Sequence, residues 1–162
     1  GRINIINKIN NITGGIIMDE NIELLEYIYK NSEMGAFTIN KLLKELEEKD
    51  NKIKKLAKEE MDKYKEFEKE SKKLIKKHGY ELKKNKLTSK IMSSLGISHE
   101  VDSDNSDASI AHMLTEGITM GIVDMETKIK NYKDSVEKDI LDIAKRFLNF
   151  QQEEVEKLKE YM

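Results

Sequence analysis

The sequence predicts an all-α protein: an antiparallel four-helix bundle made of two helical hairpins, joined by a long crossover that contains a short helix. Three observations carry that expectation. The 162-residue chain has no proline and is 37% charged, a composition that favours long amphipathic helices over sheets. Four long stretches place apolar residues at alternating spacings of three and four, the period of one helical face. Finally, short fragments from the first half recur 86 or 87 residues later, as an internal duplication would leave them.

The first helix is expected over residues 19–48, where Ile22, Leu25, Tyr29, Ser32, Ala36, Ile39, Leu43 and Leu46 form one stripe. Its first turn is acidic, which suits the positive end of the helix dipole. Lys49-Asp50 interrupts the stripe, and Asp50 is the candidate N-cap of the second helix. That helix should run to His78 with Ile53, Ala57, Tyr64, Phe67, Ser71 and Leu74 inward, and stop at Gly79. The short connection makes the two helices a hairpin.

Residues 80–106 form the expected crossover, with a short helix over 88–95, Gly96 as its stop and the polar loop SHEVDSDNSD. The third long helix starts near Ser106 or Asp107 and carries Ala111, Leu114, Ile118, Ile122, Met125, Ile129 and Tyr132. After the turn KDSVE, where Asp134 and Glu137 fit a capping box, a fourth helix follows to the end. Its stripe is Leu141, Ala144, Leu148, Gln151, Val155, Leu158 and Met162. At about 1.5 Å per residue, each long helix should span on the order of 40 Å.

Residues 19–162 are therefore expected to be one domain. Residues 1–17 differ from it: they contain no acidic residue and hold a Gly14-Gly15 break just before Met18. They are expected to be an added or upstream-translated extension, or a flexible apolar arm, because no compact apolar segment and cleavage site follow as in a signal peptide.

Composition excludes several chemistries. Without cysteine there is no disulfide, thiolate metal site or iron–sulfur cluster. No apolar run approaches the roughly 18 residues of a membrane span, and a cytoplasmic location is expected. The net charge of −2 argues against a general nucleic-acid binder. Charge is nonetheless uneven: residues 41–86 carry 17 lysines against 11 acids, whereas 98–162 carry 15 acids against 8 basic residues. Complementary solvated faces explain this most simply. No glycine-rich phosphate loop, Gly-x-Ser-x-Gly elbow or His-Glu-x-x-His occurs. The DSDNSD run at 102–107 lacks the glycine and distal glutamate of an EF-hand and reads as a capping loop.

The duplication explains two glycines that sit where a helix tolerates them least. Met34-Gly35 and Met120-Gly121 lie 86 residues apart, and Leu56-Ala57-Lys58 and Ile143-Ala144-Lys145 lie 87 apart. Glycine at matching points lets backbones, or a bulky neighbour, come close, which can offset the roughly 1 kcal/mol it costs a helix interior. Met34, Met61, Met113, Met120 and Met125 are expected to fill gaps beside these glycines.

Two similar hairpins joined by a long crossover resemble the ferritin-like superfamily, and its small bacterial members in particular. The fragments carrying the resemblance are EMGAF with TMGIV, LAKEEMDKY with IAKRFLNFQ, and the 80–106 connection. Members of that superfamily with redox chemistry hold two metal ions through single glutamates on two helices and Glu-x-x-His on the other two, since residues three apart share a helix face. This chain departs from that pattern. Its histidines, His78, His99 and His112, are preceded at the third position by Ile75, Gly96 and Ser109. Under the repeat Glu33 matches Thr119, Glu60 matches Phe147 and Tyr64 matches Gln151, so four equivalent carboxylates are not available.

The leading expectation is thus a non-enzymatic bundle without metal or cofactor, working through protein contacts, with a protein partner or as a homodimer along an apolar helix face. Its inner polar residues would form a hydrogen-bonded layer. A first alternative is a reduced ferritin-like metal protein, an oxidoreductase or metal store for iron or manganese, with Glu33, Glu60, Tyr64, Glu116 and Asp124 as candidate ligands. His112 with Glu116 is a further i, i+4 pair of permissible spacing. A second alternative is binding of anionic lipid or nucleic acid through KKLIKKHGYELKKNK at 72–86.

Overall fold

The computed structural model describes residues 19–82 and 104–162. Among them the chain forms four helices and no strand: α1 (Glu20–Glu45), α2 (Lys54–Lys77), α3 (Asp107–Tyr132) and α4 (Lys138–Lys159). The expectations for residues 1–17, the short helix at 88–95, Gly96 and His99 lie outside the described residues.

Helix boundaries follow from local chemistry at three ends and from distant residues at two. Asp19 caps α1 by accepting the Asn21 N–H at 2.8 Å, and Ser106 caps α3 by accepting the Ser109 N–H at 3.2 Å. At the C-terminus of α2, Gly79 adopts φ +76°. The Tyr80 N–H then returns to the Ile75 carbonyl (3.0 Å) and the Gly79 N–H to that of Lys76 (3.1 Å), closing a Schellman motif.

The expected caps at Asp50 and at Asp134 with Glu137 do not form. The entry to α2 is served by Asp107, whose carboxylate accepts the N–H groups of Lys52 (3.2 Å) and Ile53 (3.4 Å) and the Asn51 side-chain amide (2.9 Å). The start of α4 is served by Asn21, whose side-chain oxygen accepts the Glu137 N–H at 2.8 Å. Both helix starts lie against another helix end, so a tertiary acceptor displaces the local one.

These contacts also define which ends meet. Tyr132, ending α3, donates to Glu23 near the start of α1 (2.8 Å), and Lys77 and His78, ending α2, reach Asp139 at the start of α4 (2.9 and 3.0 Å). At the opposite end, Asn51 in the α1–α2 turn donates to the Asn105 carbonyl before α3 (2.7 Å). The chain therefore leaves at residue 82 from one end of the bundle and re-enters at 104 at the other.

The core comprises two clusters. One, near the start of α1, includes Leu24, Leu25, Ile28, Ile75, Ile140, Ile143 and Phe147. The other, near the α1–α2 turn, includes Leu42, Leu46, Ile53, Leu56, Ile110, Leu114 and Leu158. The expected stripes of α1 and α2 are inward; on α4 Ala144, Gln151 and Leu158 are buried as expected, but the rest of the stripe is displaced. Ile140, Ile143, Phe147 and Glu154 are buried, while Leu141, Leu148 and Val155 are half-buried and Met162 is exposed. Two adjoining stripes of equal period exist on this helix, and the aromatic ring pairs Phe67–Phe147 (5.2 Å) and Tyr64–Phe150 (4.9 Å) select the one turned to α2. Met120 is likewise no gap-filler: it is 73% exposed, because Gly121 next to it faces inward.

Candidate functional site

On α4 the boundary between the two core clusters falls at Gln151 and Glu154, and on α3 at Gly121. The polar residues of the interior gather here. A Cβ added to Gly35 would stand 2.9 Å from the Tyr64 ring, and one added to Gly121 would stand 3.1 Å from the Gln151 amide nitrogen. The glycines are 86 residues apart and their partners 87, so each contact is the counterpart of the other. The glycines admit two large side chains from the facing helices, as the bulky-neighbour expectation required. Tyr64 and Gln151 then floor a crevice of about 200 Å³ between α1 and α3, walled by Met34, Ile39, Met113 and Ile118.

One helical turn away, Glu60 from α2 and Glu154 from α4 are 3% and 1% exposed. Among the described residues, no N–H or hydroxyl donor reaches their four carboxyl oxygens or the side-chain oxygen of Gln151, so the two carboxyls have only each other. An isolated pair of carboxylates cannot stay fully ionised in such surroundings. Burial pushes Glu60 up to about 7, against the opposing influence of Glu154 as a donor and of the Lys157 charge. Burial, and then the charge of Glu60, raises Glu154 well above the carboxylate range. Burial, reinforced by Glu154, also raises Tyr64. A proton held on Glu154 and offered to Glu60 relieves the like-charge conflict.

Of the five ligand candidates from the sequence, the structure brings together only Glu60 and Tyr64. Glu33 is half-buried on α1 beside Tyr29, whose hydroxyl is pushed up to about 12 by burial and then by Glu33. Asp124 is exposed and accepts from Tyr27 at 3.4 Å. Glu116 is exposed on α3 beside His112. Among the described residues, no three His, Asp or Glu side chains are grouped so as to hold a metal ion. Within the lysine-rich run, Lys72, Lys73, Lys76 and Lys77 are exposed, and Lys77 is tied to Asp139; residues 83–86 lie outside the described residues.

Glu154 is the functional candidate that sequence reasoning missed. In QQEEVEK it resembles its solvated neighbours, yet it stands three residues after the inward Gln151 and so shares its face. No helix among the described residues is long and apolar enough to cross a membrane.

A third feature is the outer side of α3. Met120 and Val123 are 73% and 56% exposed and border a shallow depression with His112, Glu116 and Thr119. Residues 108–123 carry one formal charge, Glu116, in a chain that is 37% charged. Compared with protein-family models, curated proteins and solved structures, the chain matches none of them.

Proposed function

We propose that this chain is a non-enzymatic four-helix bundle of ferritin-like topology that works through protein contact, pairing with a second copy through the outer face of α3. The topology is supported by the ends that meet: α1 with α3, and α2 with α4, each lie start against finish. The long connection between the ends of α2 and α3 fits it too.

The observation that carries the function is the exposure of Met120 and Val123 on the outer face of α3, over a stretch, 108–123, whose one formal charge is Glu116. A solvated helix in so charged a chain would present lysine and glutamate there. Pairing two copies over this face would cover Met120 and Val123 together.

Sedimentation velocity over a concentration series tests this. The wild-type chain is expected to dimerise below roughly 100 µM, a binding free energy of about 5.5 kcal/mol. Met120→Lys with Val123→Lys should sediment as a monomer while keeping its helical circular dichroism. A wild-type chain that remains monomeric across the series refutes the proposal.

A further inference from the structure

Beside the Glu60–Glu154 pair, a recess of about 340 Å³ opens between α2 and α4. It is lined by those two carboxyl groups, both more than nine-tenths buried and, among the described residues, with no partner beyond the proton they share. Leu56 and Phe150 make an apolar wall, and Glu59, Glu66 and Glu153 stand at its edge. We propose that this recess binds a small primary alkylammonium compound, a diamine or polyamine, with one ammonium group seated between Glu60 and Glu154.

The chemistry of the recess fits that ligand closely. An ammonium group brings three donors to a pair whose oxygens otherwise have only the proton they share, and its positive charge balances the pair once that proton leaves. A methylene chain suits Leu56 and the Phe150 ring, and the carboxylates at the edge suit a second ammonium group. Among the described residues, the lysines that line the recess leave the seat open. Lys63 is engaged by Glu66 at 3.4 Å, and Lys157 lines the mouth without donating to either buried carboxyl. A divalent metal ion is the poorer fit, because among the described residues no third His, Asp or Glu groups with the pair to hold one.

Seating the ammonium expels the proton that the pair holds, so binding is linked to pH. The groups facing Glu60 are Glu154 and Lys157 from α4, with Tyr64 and Glu59 from its own helix. Affinity should rise roughly tenfold between about pH 6 and pH 8.5, with about one proton released per ligand at the lower pH.

Titration calorimetry of the full chain with putrescine and with spermidine tests this, run in two buffers of different ionisation heat. The expected result is saturable one-to-one binding with proton release, weakened at least about tenfold in both Glu60→Gln and Glu154→Gln and unchanged in Asp142→Asn, which lies away from the recess. Absence of saturation overturns the proposal, and so does binding that persists in both glutamine variants or that releases no proton. Manganese or magnesium binding tighter than either amine, and lost in the same variants, overturns it in favour of a metal site. Proton release is read on the wild-type chain, so the test stands even if a glutamine variant fails to fold.

Discussion

Replacing Glu60 by glutamine should make this protein more stable, by an amount that grows as pH rises from about 4.5 to about 7 and is then constant. The carboxyl of Glu60 has an ordinary value of 4.5, and burial raises it to about 7 in the folded chain. Below 4.5 both folded and unfolded chains hold the proton, so the site costs nothing. Between 4.5 and about 7 the unfolded chain has lost the proton while the folded chain retains it, and stability falls as pH rises. Above that window the loss is complete. A displacement of this size corresponds to about 3 kcal/mol, at about 1.4 kcal/mol per pH unit. The side chain is 3% exposed, so solvent does little to screen it. Glutamine keeps the shape, cannot ionise and offers Glu154 a donor. Urea unfolding of both proteins, followed by far-ultraviolet circular dichroism between about pH 5 and pH 8.5, should show curves that nearly coincide at the acidic end and separate by about 3 kcal/mol at the alkaline end. In thermal melts that is roughly 6–12 °C in favour of the variant. A difference independent of pH would refute the assignment of a shared proton to this pair.

Two further predictions concern packing and capping. Gly35→Ala should destabilise the fold by about 1–3 kcal/mol, since the new Cβ meets the Tyr64 ring at 2.9 Å. Gly117→Ala, with nothing within 4 Å, should stabilise it by about 0.5–1 kcal/mol. Chemical unfolding of the two variants side by side checks both signs, and a gain at Gly35 would show that the ring yields freely. Asp107→Ala should cost about 1–2 kcal/mol, because the N–H groups of Lys52 and Ile53 lose their acceptor. Asp50→Ala should change the same unfolding midpoint by no more than about 0.5 kcal/mol.

Local chemistry made several features legible in the residues. Gly79 stops α2 because only glycine takes a positive φ there at no steric cost, and Ser106 begins α3 because its hydroxyl reaches an N–H within its own first turn. The 86-residue spacing of the two Met-Gly pairs pointed to Gly35 and Gly121. The identity of their partners as Tyr64 and Gln151 required the facing helices. Glu60 could be placed inward by period, whereas Glu154 could not be separated from Glu153 by composition. The apolar face bearing Met120 was hidden because a methionine beside a buried glycine has the same neighbours in sequence whether it points in or out.

The sequence by itself determined that this chain is helical, where its two hairpins fall and which chemistries lack residues to perform them. Those properties arise from hydrogen bonds and side-chain spacing within a few turns. Tertiary structure alone decided that Asp107 caps a helix begun more than fifty residues earlier, that α4 turns Phe147 and Glu154 inward, and that two carboxyl groups from different helices share one buried layer. Each depends on helices brought together across long stretches of chain, and the energy of a buried charge is set by what the other helices put around it.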